Sequence, residues 1–249
     1  MKQFKTLAEQ VEFLESHKKV IINQRSKVKK DLYDSNYYNI ISCSKIKFAE
    51  DIAQSNHIYS QTQFKEWLSY FELDCRVSKY LMQNILEFER RINSRVAYCV
   101  SELFDKNKLS NFEKNDLMQI IQKSKAWSSL EAYHGQEAWM YITKMTFGEM
   151  KKLAFWLLKH KPEVYKRIVI GYPFIQKEMN KKDHQIRDKF NELNNLRNCL
   201  FHFTPLNIYV TYGKARSGKL KNSQRKKAIN WIFNLKMNSG ISNEKVYRQ

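Results

Sequence analysis

Glycine and proline are scarce in this chain, which has 6 Gly and 3 Pro among 249 residues. A sheet protein draws its hairpin and loop turns largely from those two residues, and average usage is about 7% Gly and 5% Pro. The shortage excludes a sheet-based fold and predicts an all-α one. Long apolar runs are also missing, since no window of 18 apolar residues occurs, and no charged-then-apolar leader opens the chain. Membrane spanning and secretion are therefore not expected, and a cytoplasmic location is. The four cysteines, Cys43, Cys75, Cys99 and Cys199, are too scattered for a zinc pattern or a disulfide framework, so they are expected to be reduced, with no metal site. No Gly-rich phosphate loop is present, and no nucleotide cofactor is expected.

Acidic residues are outnumbered too. Against 25 Asp+Glu stand 44 Lys+Arg, a formal charge of +19. Such an excess favours a polyanion, because each neutralised phosphate releases counterions. A Lys-rich composition also arises from the codon bias of an AT-rich genome, but that bias does not require acids to be so few. Nucleic acid is the expected partner.

What is plentiful is helical pattern. Thr6-Leu7-Ala8-Glu9 is a capping box that opens a short helix to about Ser16. A basic polar stretch follows over Lys18, Lys19, Arg25, Lys27, Lys29 and Lys30, and a structured segment resumes at Leu32. Leu81, Ile85, Phe88, Ile92, Val96, Cys99 and Leu103 then repeat at spacings of three and four, the stripe of a long helix from about Leu73 to Phe104. Glu89 lies inside that stripe, about 40° from Ile85, where a carboxylate requires a partner such as Arg95 or Arg197. Thr146-Phe147-Gly148-Glu149 opens another helix, with Met150, Leu153 and Trp156 or Leu157 inward, that stops near Lys161-Pro162. Ile186, Phe190, Leu193, Leu200 and Phe203 mark a helix from Asp183 to Phe203, with position 197 completing its seam and Pro205 ending it. From Tyr212 to Lys227 come seven basic residues, two Gly and no acid, which reads as an exposed loop or arm, followed by one apolar stretch from Ala228 to Leu235.

The chemically suggestive segment is Arg197-Asn198-Cys199-Leu200-Phe201-His202. Metal-free RNA cleavage needs a base for the ribose 2′-hydroxyl, an acid for the leaving oxygen and a cation for the crowded phosphate. Histidine suits proton transfer near neutrality, and the arginine fork holds phosphate oxygens bidentately. Asn198 lies about 40° from His202 on a helix and can orient the imidazole, whereas Arg197 lies about 140° away. One histidine cannot be acid and base in a single step, so two copies facing across a two-fold axis, a homodimer, are expected. The plain alternative is a snorkelling arginine and a surface histidine at a helix end. His17, His57, His134, His160 and His184 are isolated and form no metal-spaced set.

Arg197-Asn198-x-x-x-His202 on a late helix of an all-α chain resembles the HEPN ribonucleases, whose hallmark is an Arg and a His with four to six residues between them. Leu32 to Tyr38 with Asn36-Tyr37-Tyr38, Phe88-Glu89-Arg90-Arg91-Ile92-Asn93-Ser94-Arg95, Trp139 to Leu153, and Leu196 to Pro205 are similar to the AbiD/AbiF-type abortive infection proteins of bacteria, over roughly residues 5–210. The resemblance implies a HEPN-like four-helix bundle core with additional N-terminal helices and a basic C-terminal segment, divided as 1–50, 51–211 and 212–249. It implies a metal-independent endoribonuclease toxin of a phage-defence system, restrained by a structured small non-coding RNA, with cellular or phage RNA as substrate. Arg197 and His202 would be catalytic, Asn198 auxiliary and Glu89 an acidic member of the site. Some HEPN toxins carry Tyr two residues after the His; here that residue is Thr204. Lys214, Arg216, Lys219, Lys221, Arg225, Lys226 and Lys227 are expected to grip RNA backbone, with Tyr212 stacking on a base. The competing readings are a non-catalytic RNA-binding module of the same fold and a DNA-binding regulator.

Overall fold

The computed structural model describes residues 5–49, 59, 62–130, 137–172, 175, 183–212 and 222–234. These residues form twelve α-helices and no strand, so the chain is all-α. In order they are α1 (Leu7–Ser16), α2 (Arg25–Ser35), α3 (Tyr37–Phe48), α4 (Phe64–Asp105), α5 (Asn111–Gln122), α6 (Lys125–Ser129), α7 (Ala138–Ile142), α8 (Phe147–His160), α9 (Pro162–Val169), α10 (Asp183–Phe201), α11 (Leu206–Tyr212) and α12 (Asn222–Asn234). None of the described helices is long and apolar enough to cross a membrane. The chain divides into two compact units, residues 1–82 with 196–226, and residues 83–195 with 227–249.

In the first unit both halves of the Thr6 capping box are formed, and α1 runs from Leu7 to Ser16 as its sequence indicates. Helix α2 begins at Arg25, inside the basic polar stretch and ahead of Leu32, where the next structured segment is expected. Its lysines face water while Val28 and Leu32, one turn apart, are buried. The core gathers Val11, Leu14, Val20, Val28, Leu32, Ile40, Tyr59, Phe64 and Trp67. Each such large apolar side chain stabilises by about 1.5–3 kcal/mol when buried. Trp67 lies fully inside, edge-on to Tyr59 at 4.6 Å between ring centres, and its indole N–H donates to Thr62 Oγ1 at 3.1 Å. An isolated bridge between Ile21 and Gln63 ties the segment before α2 to the start of α4.

The second unit is organised by the stripe on α4. Ile85, Phe88, Ile92, Val96, Cys99 and Leu103 are all buried. Phe88 meets Tyr172 at 4.9 Å, and Phe147 stacks on Phe190 at 6.1 Å. The capping box at Thr146 is formed and α8 ends at His160, before Pro162. Met150, Leu153, Trp156 and Leu157 all face inward. A third capping box, Ser110 with Glu113, opens α5. Arg95 donates to the carbonyls of Ile168 (2.9 Å) and Ile170 (2.6 Å), satisfying the end of α9. Two carboxylates clasp this unit from outside: Glu102 binds Lys106 and Arg167, both at 2.7 Å, and Glu113 binds Lys161 at 2.9 Å.

Candidate active site

The end of α10 has a defined shape. His202 N donates to Asn198 O at 3.0 Å, the last α-helical bond. Phe203 N then donates to Leu200 O (3.2 Å) and Thr204 N to Cys199 O (3.0 Å). This pair of bonds is the Schellman termination, with His202 as the C-cap and Phe203 in the left-handed region at φ 52°. Glycine is the usual occupant of that position; here an exposed phenylalanine holds it. The sequence seam therefore does not continue to Phe203, because the chain has already left the helix. Nor does Arg197 complete it: Leu196 is fully buried between Leu193 and Leu200, and Arg197 sits half-buried at the edge of the seam.

Three further contacts hold the turn between α10 and α11. The buried Cys199 thiol donates to Thr204 O at 3.2 Å. Burial, with a smaller push from the Asp74 carboxylate, raises that thiol to about 12, so it stays protonated as a donor. Asp74 Oδ2 accepts from Leu206 N at 3.0 Å and fixes the first residue of α11 to α4. Pro205 between them is buried and locks its own φ. Arg225 is buried as well, and its guanidinium donates to the carbonyls of Tyr209 (3.2 Å) and Val210 (3.1 Å) near the end of α11.

On this frame Asn198 and His202 are both exposed, one helical turn apart on the same face. The Arg197 guanidinium lies over the Phe201 ring at 4.1 Å, a cation–π contact one turn on. The three residues of the motif thus share the final turns of a single, firmly terminated helix. Glu89 stands in the second unit, where its Oε1 accepts from Phe147 N at 3.1 Å, at the first residue of α8. A carboxylate there satisfies an otherwise unpaired N–H and meets the positive end of the helix dipole.

The expected RNA-gripping residues fall into two groups. Lys214, Arg216, Lys219 and Lys221 lie outside the described residues, as does the side chain of Tyr212. Arg225, Lys226 and Lys227 belong to α12 and not to a loop, for the helix starts at Asn222. Arg225 is turned inward onto the α11 carbonyls, leaving Lys226 and Lys227 as the exposed cations. Of the isolated histidines, His17 stacks on Phe13 at 5.0 Å and His160 on Trp156 at 4.7 Å. Among the described residues no three His, Cys, Asp or Glu side chains converge as metal ligands.

Beside the α10–α11 turn lies a cavity of about 440 Å³. Its apolar lining includes Phe71 and Met82 of α4 and Leu200 of α10. Asp34 and Asn39 approach from the α2–α3 elbow and Ser78 from α4, while Phe203 and Thr204 form another side. The elbow itself depends on Asn36, which adopts φ 66° and accepts from Tyr38 N at 2.9 Å through its side chain. Sequence patterning does not reveal this cavity, since its walls come from segments far apart in the chain.

A model of the Abi-like protein family matches residues 30–206, a span that holds the Arg197–His202 motif and every residue of this cavity. The chain belongs to the Abi-like family. Membership ties this Abi-like protein to abortive infection, a defence of bacteria against phage. No curated protein and no solved structure matches the chain. The matched span stops at the first residue of α11, so most of α11 and the basic segment after it stand outside the part that defines the family.

Proposed function

We propose that this Abi-like protein is a HEPN-type endoribonuclease toxin acting in abortive infection. Arg197 binds the scissile phosphate through its guanidinium. His202 transfers the proton of the ribose 2′-hydroxyl or of the leaving 5′-oxygen, and Asn198 orients its imidazole. The 2′-oxygen attacks phosphorus, the bond to the 5′-oxygen breaks, and the products carry a 2′,3′-cyclic phosphate and a 5′-hydroxyl. No metal takes part in this scheme. A second copy of the chain supplies the second imidazole, so that one His acts as base and its counterpart as acid. A structured small non-coding RNA restrains the toxin in the cytoplasm, and cellular or phage RNA is cut on release. The bundle carrying the motif is read as the HEPN core.

One observation carries this reading: Arg197, Asn198 and His202 share the last turns of a helix whose end is pinned by a Schellman turn, a thiol bond and the Asp74–Leu206 bond. Rigid support of this kind is what a positioned acid–base pair requires. The charge of +19 supports RNA as the ligand. Purified protein incubated with total RNA in EDTA tests it: cleavage is expected, and His202→Ala or Arg197→Ala is expected to abolish it.

The contact of Arg197 with Phe201 favours a second reading, because an arginine laid over a ring is serving the helix end itself. On that reading the protein is an RNA-binding module without activity. RNA binding that persists with no cut under any condition would support it.

A further inference from the structure

The cavity beside the α10–α11 turn is not used by the cleavage scheme, since Arg197, Asn198 and His202 do not line it. Its volume of about 440 Å³ falls within the roughly 300–1,000 Å³ usual for small-ligand sites. Its composition matches a planar heterocycle. Phe71, Met82 and Leu200 give an apolar interior, and Asp34, Asn39 and Ser78 offer a carboxylate, an amide and a hydroxyl. Asp34 and Asp74 outnumber Lys79 in its lining, so the cavity is net negative and disfavours a phosphate, whereas the amino and imino N–H groups of a base would find acceptors.

Phe203 is the second observation. It occupies a left-handed position that glycine fills more easily, and the residue is 76% exposed, so core packing does not account for it. An aromatic face held open at a cavity wall, one residue after His202, is a platform for a stacked base.

We propose that this cavity receives one unpaired base of an RNA strand, stacked on Phe203 and contacted along its edge by Asp34, Asn39 and Ser78. The phosphates remain outside, where the basic surface holds them. The inference rests on RNA being the ligand, as argued above, but not on the chain cleaving it. It gives the site a base preference and fixes which phosphate reaches His202.

Cys75 makes the proposal testable. It lines the cavity and is the one exposed thiol, while Cys43, Cys99 and Cys199 are buried. Alkylation of the full chain is followed at pH 8.5, because partial burial and the carboxylates of Asp74 and Glu72 hold the Cys75 thiol above its ordinary value. His202→Ala protein keeps the probe intact. The probes are a mixed-sequence ten-nucleotide single-stranded RNA and the same backbone with every base removed, each at a concentration that saturates binding by fluorescence anisotropy. The base-bearing RNA is expected to slow Cys75 alkylation about tenfold, and the abasic RNA to leave it unchanged. Phe203→Gly, which suits the φ, and Ser78→Trp, which fills the cavity, are each expected to remove most of that protection without altering the helical circular-dichroism signal. Equal protection by both probes, no protection by a bound RNA, full protection in both variants, or failure of the RNA to bind would each overturn it. Protection without any cleavage by the wild-type chain sinks the nuclease reading alone; cleavage without protection sinks the base cavity alone.

Discussion

The thiol of Cys199 donates to the carbonyl of Thr204 across 3.2 Å, and that bond closes the turn on which His202 sits. Sulfur is a weak donor, yet here it ties a buried position to the first backbone carbonyl beyond the left-handed residue. Cys199→Ala removes the bond and part of the packing around it. A loss of about 1–2 kcal/mol is expected, read as a lowered midpoint in urea with an unchanged slope. In the native protein a thiol reagent near neutral pH should leave Cys199 unmodified, since burial keeps it protonated.

Phe203→Gly should stabilise the protein while harming its proposed RNA contact. A non-glycine residue in the left-handed region costs about 1–2 kcal/mol, and part of that is offset by the entropy glycine loses on folding. A net gain of about 0.5–1 kcal/mol is expected, a rise of a few degrees in Tm by calorimetry. A fall in Tm would mean that the exposed ring supports the fold after all.

Glu89 is expected to act on stability through Phe147. Glu89→Gln keeps an oxygen acceptor for the Phe147 N–H, so its Tm should stay close to wild type. Glu89→Ala leaves the start of α8 short of a partner, with an expected loss of about 0.5–2 kcal/mol. Equal Tm values for the two variants would show that the contact carries no stability.

Acid should loosen the second unit. Hydrogen bonds from Lys106 and then Arg167 hold Glu102 down at about 2, and Lys161 with the Ser110 backbone does the same for Glu113. A carboxylate depressed in the folded state stabilises fully above its unfolded value of 4.5 and loses that contribution as pH falls toward 2. Tm should therefore drop between pH 4.5 and 2, and the double variant Glu102→Gln/Glu113→Gln should flatten that drop. Both carboxylates are partly accessible to solvent, so salt should reduce the difference.

The elements most legible in the sequence have an uninterrupted apolar period or a capping box. The stripe from Leu81 to Leu103 and the boxes at Thr6 and Thr146 belong to this class. Helices α2 and α12 are not among them, because cations interrupt their apolar pattern and, among their described apolar side chains, only Val28 with Leu32, and Ala228 with Ile232, are fully buried. The seam of α10 misled by one residue. At 3.6 residues per turn positions 196 and 197 both continue from Leu193, and burial chose Leu196, moving Arg197 to the seam's edge. The Arg197–Asn198–His202 motif itself was plain in the sequence. Its Schellman termination was not, since a phenylalanine in place of glycine hides the left-handed residue.

In the proposed reaction His202 moves a proton during RNA cleavage. The most direct measurement is the end chemistry of RNA fragments produced in EDTA by wild-type and His202→Ala protein side by side. Wild-type fragments should end in a 2′,3′-cyclic phosphate and the variant should yield none, with RNA binding retained in both. Fragments of the same kind from His202→Ala, or none from wild-type protein at any concentration, would contradict that reaction.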